Sequence, residues 1–101
     1  MTDHVAPIAI TRTASGFAVS GEIDAHTAPD VAAAIATSAG GRLVIDLSGV
    51  EFVDSSGLRV LIDAHQRLQE AGGSLTIDSP SPAVRRLLEI SGVDDYLAVE
   101  G

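Results

Sequence analysis

The chain has no cysteine and no tryptophan, and two phenylalanines and one tyrosine are its whole aromatic content. The first absence removes disulfides, thiolate nucleophiles and sulfur metal ligands together, and it suits a reducing compartment. The scarcity of aromatic rings excludes a base-stacking platform and an aromatic sugar site. The core must then be built from Val, Ile, Leu and Ala. Lysine is missing too: the six basic residues are arginines at 12, 42, 59, 67, 85 and 86, set against 14 acidic residues for a formal net charge of −8. Such a balance argues against contact with nucleic acid or anionic lipid through a basic face. An acidic surface favours solubility and a basic patch on any protein partner. No run of 18 apolar residues and no basic-then-apolar N-terminus occurs, so neither a membrane span nor a signal peptide is expected and the location is read as cytoplasmic.

What is present is an ordinary globular composition, 46% hydrophobic and 20% charged over 101 residues. That length suits one domain, residues 1–101, with a loose lead-in over 1–7. Ile8 to Thr13 and Phe17 to Ile23 alternate as two short strands across Ala14-Ser15-Gly16, an antiparallel hairpin. From Thr27 the period changes: Thr27 as cap, Pro29 and Asp30 in the first turn, and Ala28, Val31, Ala32, Ile35 and Ala36 on one stripe predict a helix that ends near Ser38-Ala39-Gly40-Gly41. Leu43 to Leu47 is nearly continuous apolar sequence, which predicts a central strand covered on both faces. Ser48-Gly49 reads as a turn and Val50 to Val53 as a bridge into a long helix from about Ser55 to Ala71. A short strand at Leu75 to Ile77, a turn at Ser79-Pro80-Ser81-Pro82, a helix from Ala83 to Ile90 and a last strand from Tyr96 to Val99 complete the order ββαβαβαβ. Such an order predicts an α/β fold with right-handed crossovers, a mostly parallel sheet and one antiparallel edge.

Chemistry is concentrated at Val53-Asp54-Ser55-Ser56-Gly57-Leu58, where a strand gives way to a helix that starts with a hydroxyl. One reading is a helix cap. The other is a phosphoacceptor serine, pinned near backbone N–H groups and the positive end of the helix dipole, where added negative charge is tolerated. The two are compatible. A serine hydrolase is disfavoured, because the first glycine of Gly-x-Ser-x-Gly is missing and no histidine is assigned to the serine. Neither Gly40-Gly41 nor Gly72-Gly73 is followed by the Lys-Ser/Thr pair of a phosphate loop. Asp24, Asp46 and Asp54 lack the spacing of a metal loop and read as turn and strand-end residues. Of His4, His26 and His65, only His26 lies beside the expected contact surface. Arg85 and Arg86 read as a solvated pair. No catalytic apparatus, cofactor or metal is expected.

Asp54-Ser55-Ser56-Gly57-Leu58, Gly21-Glu22-Ile23-Asp24 ahead of the first helix, and Ser81-Pro82-Ala83-Val84-Arg85-Arg86-Leu87-Leu88 together resemble the STAS domain family, in particular the bacterial anti-sigma factor antagonists, from about Ile8 to Val99. The resemblance implies a STAS-like mixed sheet and a non-catalytic regulator of transcription, including stress responses, that works by partner switching. In the family the unphosphorylated antagonist binds an anti-sigma factor, a serine kinase of histidine-kinase-like ATPase fold, and so frees a sigma factor. Phosphorylation releases it and a serine phosphatase resets it, while ATP and magnesium belong to the partner. Carried over, the phosphoacceptor is Ser55, Asp54 and Ser56 support it, Gly57 lets a kinase approach the backbone, and Asp24, His26, Leu58 and Arg59 rim the contact. Two departures are visible: Arg59 stands where relatives often carry a small residue, and the sequence stops soon after the last strand where relatives usually add a helix. Stand-alone STAS scaffolds, in signalling or lipid-transport assemblies, and nucleotide- or ligand-binding STAS modules are the alternatives the resemblance leaves open.

Overall fold

The computed structural model describes residues 8–38, 41–93 and 95–101. The expected lead-in over 1–7 and the Ala39-Gly40 part of the first helix's exit lie outside the described residues. Among the described residues eight elements follow one another: β1 Ile8–Arg12, β2 Gly16–Ile23, α1 Ala28–Ala36, β3 Arg42–Val53, α2 Ser55–Glu70, β4 Ser74–Asp78, α3 Pro82–Ser91 and β5 Ala98–Glu100. The strands form one sheet in the order β1-β2-β3-β4-β5. Only β1 and β2 are antiparallel; β2-β3, β3-β4 and β4-β5 are parallel. The ββαβαβαβ order and the mixed sheet expected from the sequence are therefore present.

Register explains where the core sits. Phe17, Ile45 and Ile77 stand side by side on three neighbouring strands, each at most 4% exposed. Leu43 pairs with Leu75 in the row beside them. Ala28 and Val31 of α1, Leu61 and Ala64 of α2, and Val84 and Leu88 of α3 join the same buried cluster. Burying a Leu, Ile or Val side chain contributes about 1.5–3 kcal/mol, so this face supplies most of the driving force. Val44, Asp46, Thr76 and Asp78, which alternate with the core residues, are only half-buried. The apolar run of β3 is thus covered on one face, not both.

Strand β3 also corrects the expected turn at Ser48-Gly49. Its pairing with β2 steps from Ala18↔Asp46 to Ser20↔Gly49, and again from Gly21↔Val50 to Glu22↔Phe52, so two extra β3 residues are absorbed as bulges and the strand runs on to Val53. Asp46 accepts a hydrogen bond from the Ser48 amide at 2.8 Å, satisfying a donor within the first bulge. That contact, backed by the Ser48 hydroxyl and opposed by partial burial, holds the Asp46 carboxyl below its ordinary range. The result is a strand long enough to deliver residue 54 beyond the edge of β4.

The last strand is shorter than expected and starts later. Tyr96 sits in a turn, its amide bonded to the Val93 carbonyl at 2.9 Å, and its ring meets the edge of buried His65 at a centroid distance of 4.9 Å. His65 is therefore a buried residue of α2.

Candidate functional site at the start of helix α2

The site is assembled where β2 and β3 end together. Ile23 and Val53 are paired, and the Asp54 amide donates to the Ile23 carbonyl at 3.2 Å, which ties the loop after β2 to the loop after β3. Asp54 is the N-cap of α2: its backbone is extended and its carboxylate accepts from the Ser56 amide at 2.9 Å. Ser55 is the first helical residue and is exposed. Asp54 fills the capping position that the hydroxyl would otherwise serve, and the Ser55 hydroxyl has no hydrogen-bond partner among the described residues. A nucleophilic oxygen so placed is fixed by the helix behind it and open to an approaching reagent.

The neighbouring loop is organised by Asp24. Its carboxylate accepts from the His26 amide at 2.9 Å and the Thr27 amide at 3.1 Å. Partial desolvation pushes that carboxyl up, but the two amides, the nearby His26 imidazole and the Thr27 hydroxyl outweigh it and leave Asp24 below its ordinary range. Thr27, expected to cap α1 through its side chain, turns the other way: its hydroxyl donates to the Glu22 carbonyl at 2.8 Å and accepts from the Asp24 amide at 2.9 Å. It is a buried bolt between β2 and α1, and His26 is left exposed beside it.

Gly57 does not reach the surface. A Cβ there would lie 2.7 Å from both Ile23 Cγ2 and Val53 Cγ2, so this glycine lets the first turn of α2 pack onto the strand ends and does not open the backbone to a kinase. Ser56 and Leu58 are half-buried and Arg59 is exposed. Along the flank of α2, Ser55, Leu58, Arg59, Ile62, Asp63 and Gln66 line an open groove of about 320 Å³. The spacing of these six residues is helical, so the groove could have been read from the sequence by asking which α2 residues lie beside the core stripe. Ile62, Asp63 and Gln66 are its members that sequence reasoning missed. Phe52 was missed as well: its ring is 47% exposed at the end of β3, opposite Glu22.

Chemically the site offers a hydroxyl, a dipole terminus and two carboxylates that already serve backbone amides. Among the described residues no group of three or more His, Asp or Glu is placed to hold a metal ion, and no helix is long and apolar enough to cross a membrane.

The STAS domain family model matches residues 7–100, and the chain belongs to that family. Its relatives bear out the resemblance. The chain is 38% identical over 85 residues to the anti-sigma-B factor antagonist of Listeria monocytogenes, covering 81% of this chain and 75% of that protein. It superposes on the crystal structure of an anti-sigma factor antagonist from Mycobacterium paratuberculosis with a TM-score of 0.76 at 33% identity, over 92% of this chain and 83% of the other. The fold is shared with the Bacillus cell fate determinant SpoIIAA in its phosphorylated form, at a TM-score of 0.67 and 22% identity, over 91% of this chain and 89% of that one.

Proposed function

We propose that the protein is an anti-sigma factor antagonist, acting in the cytoplasm, whose affinity for its partner is set by phosphorylation of Ser55. In this reading the unphosphorylated chain binds an anti-sigma factor with serine kinase activity and frees a sigma factor, and a serine phosphatase restores the modified chain. Transfer of the γ-phosphoryl group from partner-bound ATP forms the Oγ–P bond of Ser55 as the bond to ADP breaks, and the hydroxyl proton passes to a base of the partner. The observation that carries the reading is the state of Ser55: exposed, first in its helix, with Asp54 and not Ser55 satisfying the Ser56 amide.

Phosphorylation adds roughly 1.5 to 2 negative charges at neutral pH. The helix terminus favours that charge, so the domain itself is little disturbed. Across an interface the same charge, next to Asp54 and close to the Asp24 loop, costs desolvation and repulsion wherever the partner presents apolar or acidic groups. About 1.4 kcal/mol already changes affinity tenfold. Asp24, His26, Leu58 and Arg59 form the rim of the contact around Asp54, Ser55 and Ser56, and Phe52 extends it.

A pull-down from native lysate with wild-type, Ser55→Ala and Ser55→Asp baits tests the reading. Retention of a kinase-fold anti-sigma factor by the Ala bait and its loss from the Asp bait is the expected result. Identical proteins on all three baits would instead favour a STAS scaffold in which Ser55 is only part of the helix start.

A further inference from the structure

Arg59 lies four residues after Ser55 on α2, and both line the same groove. Side chains on a helix tilt toward its N-terminus, so the stem of Arg59 covers the turn that begins with Ser55. An acid at i with a base at i+4 is also the favourable orientation for a helical ion pair, whereas Arg59 with Asp63 is the reverse one. In the unmodified chain Arg59 has no ion-pair or hydrogen-bond partner among the described residues. Among the described residues lining the groove it is the one basic residue and Asp63 the one carboxylate.

We infer that Arg59 is the internal receptor of the phosphate: once Ser55 is modified, the guanidinium pairs with the phosphoserine oxygens of its own helix and is withdrawn from the contact surface. The inference rests on the proposed phosphorylation of Ser55 and adds what the modification does next. A guanidinium and a phosphate match as a fork onto two oxygens, and such charge-assisted bonds are stronger than neutral ones. Phosphorylation then changes the surface twice, adding a dianion at the helix start and removing a cation one turn further on. A partner that places a carboxylate against Arg59 in the unmodified complex loses its counter-charge in the same step. Arg59 acts through the phosphate and so is a positioning residue.

The test needs no kinase. Phosphoserine is installed at position 55 of the full chain by genetic encoding, and the second ionisation of the phosphate is followed by phosphorus NMR in the wild type, Arg59→Gln and Arg59→Lys. The apparent pKa of the phosphate in the wild type is expected to lie about 0.2–0.4 pH unit below that in Arg59→Gln at low salt. Arg59→Lys should retain part of the difference, and 1 M salt, with a Debye length of about 3 Å, should erase most of it. Superimposable titrations of wild type and Arg59→Gln overturn the inference. The partner assay separates it from the reading beneath: if phosphoserine 55 abolishes partner binding while the titrations coincide, the switch stands and Arg59 is not its receptor. If the titrations differ while binding is unaffected, Arg59 holds the phosphate and the proposed switch fails.

Discussion

At the scale of single residues, Gly57 and Asp54 divide the work of placing Ser55. Gly57→Ala would gain helix propensity of at most about 1 kcal/mol, but its methyl group would lie 2.7 Å from Ile23 Cγ2 and Val53 Cγ2. Overpacking of this kind costs about 1–3 kcal/mol, so the clash wins and the variant should melt several degrees below wild type in a thermal scan. Asp54→Ala should cost about 1 kcal/mol through loss of the cap, with Asp54→Asn recovering most of it, as read from urea midpoints. Ser55→Asp, by contrast, should melt at or slightly above the wild-type temperature, because an acid in the first turn is favoured by the dipole. The role of Gly57 was hidden in the sequence, since its contacts come from Ile23 and Val53 on two other elements. Ser55 and Asp54 were legible because capping is a local affair of three or four residues.

Asp24 and Asp46 carry a pH dependence at the same scale. Both carboxyls lie below the ordinary value of 3.8 in the folded chain, so the unfolded chain binds protons more readily. The stability they contribute is fully present above that value and is lost as pH falls through the depressed folded values. Urea midpoints followed from pH 6 downward should therefore fall less steeply for Asp24→Asn and Asp46→Asn than for wild type. Equal slopes would mean that the amide contacts of the two carboxylates do not favour the charged form.

At the scale of elements, β3 and α1 show how far local signals reach. Ser48-Gly49 has the residue types of a turn, yet two bulges keep Arg42–Val53 in one strand, because neighbouring β2 continues to offer pairing through Ile23. Alternation, not the apolar run, decides burial in β3: Val44 looks like a core residue in sequence and lies on the half-buried face. Thr27 stands at the expected start of α1, but its hydroxyl bridges Glu22 and Asp24, a use that depends on where β2 ends. Thr27→Val, similar in shape and buried, should cost about 1–3 kcal/mol by leaving those backbone groups without their partner. A thermal scan showing no loss would place the connection between β2 and α1 elsewhere. The hairpin and the helix periods needed only neighbouring residues and were readable directly, whereas Ser81, read as part of a turn, proves to be the α3 cap, accepting from the Val84 amide at 3.3 Å.

At the scale of the whole molecule, the fold keeps one well-buried sheet face under the helices and gathers the chemically open groups at the ends of β2 and β3. The Asp24 loop reaches the neighbourhood of Ser55 although the two are distant in sequence, because Ile23 and Val53 are paired and the Asp54 amide bonds to the Ile23 carbonyl, and Phe52 lies only three residues before Ser55. A net charge of −8 makes long-range attraction to a basic partner surface strong at low salt and weak at high salt. The most direct measurement is the dissociation constant of the recovered anti-sigma factor for the unmodified chain and for the chain carrying phosphoserine at 55, at one fixed salt concentration. Phosphorylation is expected to weaken binding by at least tenfold, about 1.4 kcal/mol, with the melting temperature of the free antagonist nearly unchanged. Equal affinities for the two forms would contradict it.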